Sequence, residues 1–439
     1  MSSYSPIQWP GRKSWPFSEK ILFRFIFIYF MLYLNPWTWL NRIPGTDSVF
    51  EYYYQRMDWL VHYANNNIFH TYKTLIPPNG SGDTSYAWVE LQLQLLLALI
   101  GTLIWTIVDR KNSEYNRISY WFRIILRYSL ILALMSYGII KLFGMQMLFP
   151  TLSQLATPLG DLLPMRLSWL FIGYSDQYQF FSGLMEVIAA LLLFFRASSA
   201  FGAVASSAVF ANVVMMNLSY DIPVKQYSIH LFLMSLILVI YDYRRLLSLI
   251  TNKPSAPSTI YNVEFNKRWM QIGRFFMKYI FMGYMVGTTI YQTYYRWNDF
   301  RSPKEVGPVR SGLYDVKLFT LNKDTIPPLH TDSIRWKDVV FDHGSGSVGT
   351  ADTIFWQRYR RGYFRYEIDS ASTEIKFTKR DVTGKTDSLF TLHFDIPDSS
   401  HLRLWGKIRS DSVYVVLKRS DRRFQLAERQ FHWLSEYNR

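Results

Sequence analysis

The 439-residue chain contains no cysteine. That absence removes disulfides, thiolate catalysis, CxxC redox pairs, thiolate zinc sites and cysteine-ligated iron–sulfur clusters. Any redox role must therefore use something other than a protein thiol. Other signatures are missing too: there is no nucleophile elbow, no metalloprotease helix and no dinucleotide fingerprint. The stretch "DHGSGSVG" at 342–349 lacks the lysine and the following helix of a phosphate loop, and reads as a loop between strands. Histidine is scarce. His62, His70, His330, His343, His393, His401 and His432 stand without ligand spacing, and His230 is alone within the apolar runs, so neither a metal site nor a bis-histidine haem is expected. The net charge of +15 would suggest nucleic acid in a soluble protein. Here a membrane explanation comes first, because basic residues gather in cytoplasmic loops. The bilayer is the expected partner and nucleic acid is not.

What the chain has is apolar and aromatic residues, 49% and 18% of the total. They are unevenly placed. Residues 1–297 carry long apolar runs and residues 298–439 carry none. Seven runs are long enough to cross about 30 Å of hydrocarbon. They lie near 21–40, 88–108, 120–148, 180–196, 200–218, 226–242 and 275–295. The first follows "GRKSWPFSEK" without a small-residue cleavage site and reads as an uncleaved anchor.

Lysine and arginine set the orientation. With the N-terminus inside, the inner segments carry thirteen of them and the outer loops five. Seven spans then place residues 298–439 outside, in the periplasm of a two-membrane cell. The outer loop 41–87, with "FEYYYQRMDWLVHYANNNIFH", reads as an interfacial helix. The outer loop 150–179 is expected to lie flat on the outer surface. In both, aromatic residues suit an interfacial belt.

Inside the spans, one layer stands out. At 1.5 Å per helical residue, Lys141 falls about 10 Å below the outer boundary, Glu186 and Asn212 about 9 Å, and His230 about 6 Å. Tyr137 lies one turn below Lys141 on the same face. Charges in hydrocarbon normally face a bundle interior and pair with one another. Lys141 is therefore expected to meet Glu186, with Asn212 and His230 completing a pocket that opens outward. Such a pocket suits a ligand, a quinone or a proton. The same residues also fit a buried pair that only fixes helix register, or a Lys141 that snorkels to the headgroups. Snorkelling likewise accounts for Arg123, Arg127 and Lys278 near the inner ends of their spans.

These residues also carry a family resemblance. "ILRYSLILALMSYGIIKLFG", with Arg127, Gly138, Lys141 and Leu142, resembles the first helix of the DoxX family. "FSGLMEVIAALLLFFRASSAFGAV", with Gly183, Glu186 and Arg196, is similar to its second, and the next two runs fit its third and fourth. The likeness covers about residues 118–245. DoxX-like proteins are four-helix membrane proteins, with relatives linked to thiosulfate:quinone oxidoreduction, to membrane oxidoreductase complexes and to methylamine utilisation. The resemblance implies a redox-associated role in the bacterial inner membrane, as an accessory to a membrane oxidoreductase, with a quinone as the candidate ligand. The two added spans, the last span and the outer domain depart from the family. The layout is similar to that of DoxX-like proteins from Bacteroidetes-type bacteria.

After residue 298 the period changes to two. "GLYDVKLFTL", "SIRWKDVVF", "TIFWQRYR", "YFRYEID", "TEIKFTK", "SLFTLHFD", "HLRLWGKI" and "SVYVVLKR" read as strands of an up-and-down barrel or a sandwich. "FQLAERQFHWLSEY" would close it. A barrel of this size either is filled by side chains or holds one small apolar ligand. The expected organisation is thus an α-helical membrane bundle followed by an all-β domain. Residues 1–117 hold the N-terminal spans and aromatic loop, 118–245 the DoxX-like bundle, 246–297 an inner linker and last span, and 298–439 a periplasmic β-domain. The runner-up function is a membrane-anchored scaffold whose β-domain binds a protein or lipid. A solute transporter ranks third, because no paired discontinuous helices are visible.

Overall fold

In the computed structural model, residues 14–42, 45–79, 81–252, 254, 267–302, 307–329, 332–369, 371–380, 386–429 and 432–434 are described. All seven apolar runs fold as helices. They are α1 (Phe17–Leu34), α3 (Ser85–Val108), α4 (Asn116–Leu142), α7 (Asp176–Phe194), α8 (Ser199–Ser219), α9 (Lys225–Tyr241) and α11 (Arg268–Arg301). The first run ends earlier than expected, because Asn35 turns into the left-handed region at φ 43° and Pro36 follows it. The aromatic loop forms α2 (Asp47–Ala64), the helix expected there. Among the described residues, four helices are long and apolar enough to cross a membrane: α3, α4, α7 and α8. The 17-residue α9 is apolar but shorter. A short amphipathic helix, α10 (Tyr243–Ile250), follows it.

The chain divides into two compact units. One holds residues 1–146 and 177–296, the other residues 147–176 and 297–439. The segment 147–176, expected only as an outer loop, belongs to the same unit as the β-structure.

That β-structure is a closed antiparallel barrel of eight strands. They are β1 (Gly312–Leu321), β3 (Asp338–Asp342), β4 (Ser345–Val348), β6 (Arg361–Asp369), β7 (Glu374–Arg380), β8 (Thr386–Asp398), β9 (His401–Ile408) and β10 (Asp411–Arg419). Two short strands, β2 (Asp324–Thr325) and β5 (Trp356–Arg358), pair with β1 and β6. Each barrel strand pairs with the next, and β10 returns to β1 with Phe319 opposite Val415. Alternation fills the interior: Leu402, Leu404 and Ile408 of β9 are buried, whereas Arg403, Trp405 and Lys407 are exposed. The middle is a cluster of rings, Phe377 and Phe390 having centroids 4.9 Å apart and Trp336 and Phe355 5.9 Å apart. This is the filled form of barrel.

Two expectations fail here. Residues 342–349 are a tight hairpin and not a loop: His343 and Gly344 both take positive φ, 35° and 79°, so Asp342 and Ser345 pair across a two-residue turn. The stretch at 424–437 forms α12 (Gln425–Glu428) and no strand among its described residues.

Segment 147–176 carries α5 (Leu152–Leu155) and α6 (Pro164–Tyr174). Thr151 starts α5 with a capping box closed by Gln154. Leu152 and Ala156 pack with Leu313 and Val340 on the barrel wall. Ser347 donates to Ser153 Oγ at 2.8 Å, and Arg361, itself buried, donates to Ser347 at 2.9 Å and to Asp338 at 2.5 Å. Arg166 Nε donates to the Tyr359 hydroxyl at 3.0 Å, and Arg360 pairs with Asp161 at 3.2 Å.

Candidate functional site

The crossing of α4 and α7 rests on two glycines. A Cβ on Gly138 would stand 2.8 Å from a Val187 methyl and 3.0 Å from the Gly183 carbonyl. A Cβ on Gly183 would stand 2.7 Å from both the Gly138 carbonyl and the Lys141 Cβ. Small residues let helix backbones approach this closely where packing is the main attraction. Lys141 and Glu186 lie three residues beyond these glycines. Each is therefore one turn from the contact, and they meet there: Lys141 Nζ donates to Glu186 Oε1. Both are buried, at 8% and 4% exposure. This contact holds Lys141 within the bundle and replaces the snorkelling alternative.

The pair is unevenly satisfied. Glu186 Oε2 is buried and has no hydrogen-bond partner. A carboxylate oxygen in that position has room in its chemistry for one donor: a proton, a water or a ligand hydroxyl. Removing either partner would leave the other as an uncompensated buried charge.

The other sequence candidates separate from the pair. Tyr137 is on the face of α4 that lines a cleft of about 840 Å³ between α4, α9 and α11. Its ring lies 6.4 Å from that of Tyr227, which also lines the cleft. Tyr137 is close enough to Glu186 to feel its charge. Asn212, expected in the pocket, is exposed on α8 and makes no hydrogen bond to the pair. Equal depth therefore did not mean a shared face: a helix offers every azimuth at a given height.

His230 is buried but committed elsewhere. Its Nδ1 lies 2.6 Å from the Gln226 carbonyl, which can only accept, so Nδ1 carries the proton. Nε2 then accepts from the Tyr29 hydroxyl at 2.5 Å. Tyr33 stacks on the ring at 3.8 Å and Phe30 meets its edge at 6.3 Å. The neutral imidazole joins α9 to the aromatic face of α1 and takes no part in an outward pocket with Lys141.

One buried ionic cluster was not anticipated. Arg24 of α1 donates from Nη1 to Thr106 at 2.8 Å, from Nη2 to the Asp109 carbonyl at 3.0 Å and from Nε to the Tyr115 hydroxyl at 3.0 Å. Tyr115 in turn donates to Asp109 at 2.7 Å. Hydrogen bonds from Asn112 and then Tyr115 hold the Asp109 carboxyl down at about 2. Each of Arg24's three nitrogens meets an acceptor, which makes it a clasp between α1 and the α3–α4 turn. The visible signal was a lone arginine within "ILFRFIFIYF". Arg123 and Lys278, expected to snorkel, are also engaged: Arg123 stacks 5.1 Å from the Tyr241 ring, and Lys278 donates to the Phe194 carbonyl at 2.9 Å. Among the described residues no group of three or more histidine and acidic side chains is placed to hold a metal.

No family model and no solved structure matches the chain. The chain is similar to YwoB of Bacillus subtilis strain 168, a protein described as uncharacterized, with 36% identity over 88 residues. The matched residues are 20% of this chain and 57% of that protein, so the chain spans little more than half the length of the relative it resembles.

Proposed function

We propose that the chain is a DoxX-like protein of the bacterial inner membrane, acting as an accessory in quinone-linked redox chemistry, with Lys141 and Glu186 as its intramembrane ligand or proton site. The observation that carries this reading is the buried pair with one carboxylate oxygen left over. An ionisable pair inside a bundle marks a site by default, because an apolar pair would pack there at lower cost. A quinol hydroxyl is a donor of the right kind for Glu186 Oε2. Tyr137, one turn from Lys141 on α4, would be the link to the cleft that it lines. Seven spans, with α1, α9 and α11 crossing beside the four most apolar helices, would put the N-terminus in the cytoplasm and the barrel in the periplasm.

The test is extraction of quinone from protein purified in mild detergent. Wild type should carry it, and Glu186→Gln and Lys141→Met should each lose it. The scaffold reading has its own support: the barrel is filled with rings and would act through its outer surface. Quinone-free wild type whose barrel captures a defined periplasmic protein would favour that reading instead.

A further inference from the structure

The cleft between α4, α9 and α11 is sorted by polarity along its length. At one end stand Ser136 and Tyr137 of α4, Tyr227 of α9, and Thr288, Thr289 and Gln292 of α11. The Tyr137 and Tyr227 rings meet there, 6.4 Å apart. Toward the other end the walls are apolar, with Leu132 and Ala133 of α4, Met234 of α9, and Phe281 and Val286 of α11. There α4 and α11 come together, the rings of Tyr128 and Phe281 lying 6.4 Å apart. The cleft runs about 12 Å along α4, from Ser129 to Tyr137, and about 16 Å along α11, from Phe281 to Gln292. Among the described residues, none that lines it carries a charge.

The polar end has hydrogen bonds to offer. Thr288 and Thr289 each donate to the Met285 carbonyl of their own helix, at 3.0 and 2.9 Å, and their oxygens can still accept. The Tyr137 and Tyr227 hydroxyls take part in no hydrogen bond among the described residues, so both can donate. Two hydroxyls interrupt the apolar end, those of Tyr284 and Ser129. Ser129 Oγ is buried there without a partner, a group that the fold leaves to whatever fills the cleft.

We propose that the cleft is the seat of an uncharged amphiphile, with an oxygenated head at the Tyr137–Tyr227 end and an apolar tail toward Phe281. Carbonyl or ether oxygens of the head would accept from the two tyrosines, and a hydroxyl would donate to Thr288 or Thr289. A phosphate, carboxylate or ammonium head would enter with no opposite charge to meet it, which is costly away from water. A wholly apolar occupant would leave the hydroxyls and the Gln292 amide unpaired. The volume of about 840 Å³ falls within the range of small-molecule sites, about 300–1,000 Å³. Acylglycerols and isoprenoid quinones both carry an uncharged, oxygenated head on a long tail. Neither Lys141 nor Glu186 lines the cleft, so this site stands or falls apart from the role of that pair.

Because the chain has no cysteine, an introduced one is the only thiol, and ligand protection of that thiol is the test. Leu132→Cys at the apolar end and Thr288→Cys at the polar end would be labelled with N-ethylmaleimide, each in the full chain in phosphatidylcholine nanodiscs. Leu103→Cys, exposed on α3 and outside the cleft, is the control. Monolaurin at ten times its half-protecting concentration should slow labelling of both cleft positions about tenfold and leave the control unchanged. Laurate, with the same chain and a carboxylate head, should protect neither. Decylubiquinone is the second uncharged probe. Protection by monolaurin alone makes this an acylglycerol site, protection by decylubiquinone alone a quinone site, and protection by both a site that selects for an uncharged head. Adding Tyr137→Phe/Tyr227→Phe to either cysteine variant should raise the half-protecting concentration about tenfold. The proposal is overturned if neither uncharged probe protects either position, if laurate protects as well as monolaurin, or if the double phenylalanine variant is protected as before.

Discussion

On α3, Leu103 is 64% exposed and Val108 78%, while Lys141 and Glu186 of the same helical unit are buried. The β-barrel reverses this. Phe341, Leu392 and Val415 are fully enclosed, and Lys376, Arg403 and Lys407 lie outside. The same physics produces both arrangements in different solvents. In water the barrel gains by enclosing apolar surface. In hydrocarbon a helix gains nothing by hiding leucine, so helix contacts fall to glycines and to polar pairs. Gly138 against Gly183, with Lys141 and Glu186 one turn away, is that kind of contact.

The comparison also explains what could be read from the sequence. The barrel was legible because strand alternation has a period of two, and one face of each strand must go inward. β1 and β9 fall on the residues that the alternation marks. β4 was missed because "SGSV" has little strand propensity, and its pairing depends on the His343–Gly344 turn. In the helical unit, hydropathy located the seven apolar helices but not their rotation. Lys141 and Glu186 could be paired because opposite charges at one depth in hydrocarbon seek each other. Asn212 and His230 shared their depth and nothing else. Arg24 escaped because a single arginine in an apolar run does not announce its partners, which lie some 82 to 91 residues away.

If the two interiors differ as described, substitutions should rank accordingly. The largest effect is expected from Glu186→Leu, which strands Lys141 as a buried charge and should cost about 3–5 kcal/mol. Lys141→Met/Glu186→Leu should recover most of that stability, as thermal unfolding in detergent would record. Next comes Gly183→Val, whose Cβ meets the Gly138 carbonyl and Lys141; overpacking there should cost about 1–3 kcal/mol. In the barrel unit, Arg361→Met leaves Asp338 and Ser347 without their donor, a loss of about 1–3 kcal/mol visible in the melting of β-structure by circular dichroism.

A smaller effect separates the two units by pH. Asp398 is exposed at the β8–β9 turn, and its carboxyl is held below the usual range first by the Ser400 hydroxyl and then by the Ser400 backbone N–H. A lowered folded value means that this contribution is present above the unfolded value of about 4 and is lost as pH falls through the folded one. The barrel of Asp398→Asn should therefore lose less stability than wild type on acidification below about pH 4, followed by circular dichroism. The smallest change belongs to Asn212→Leu. Its side chain is exposed on α8, so unfolding should shift by less than about 0.5 kcal/mol.

The double variant Lys141→Met/Glu186→Leu also tests the central claim most directly. Quinone content and melting temperature would be measured on the same detergent-purified preparation, beside wild type. A site for ligand or proton predicts a variant as stable as wild type that carries no quinone. A variant that keeps its stability and the full quinone content of wild type would show that Lys141 and Glu186 only fix the register of α4 against α7.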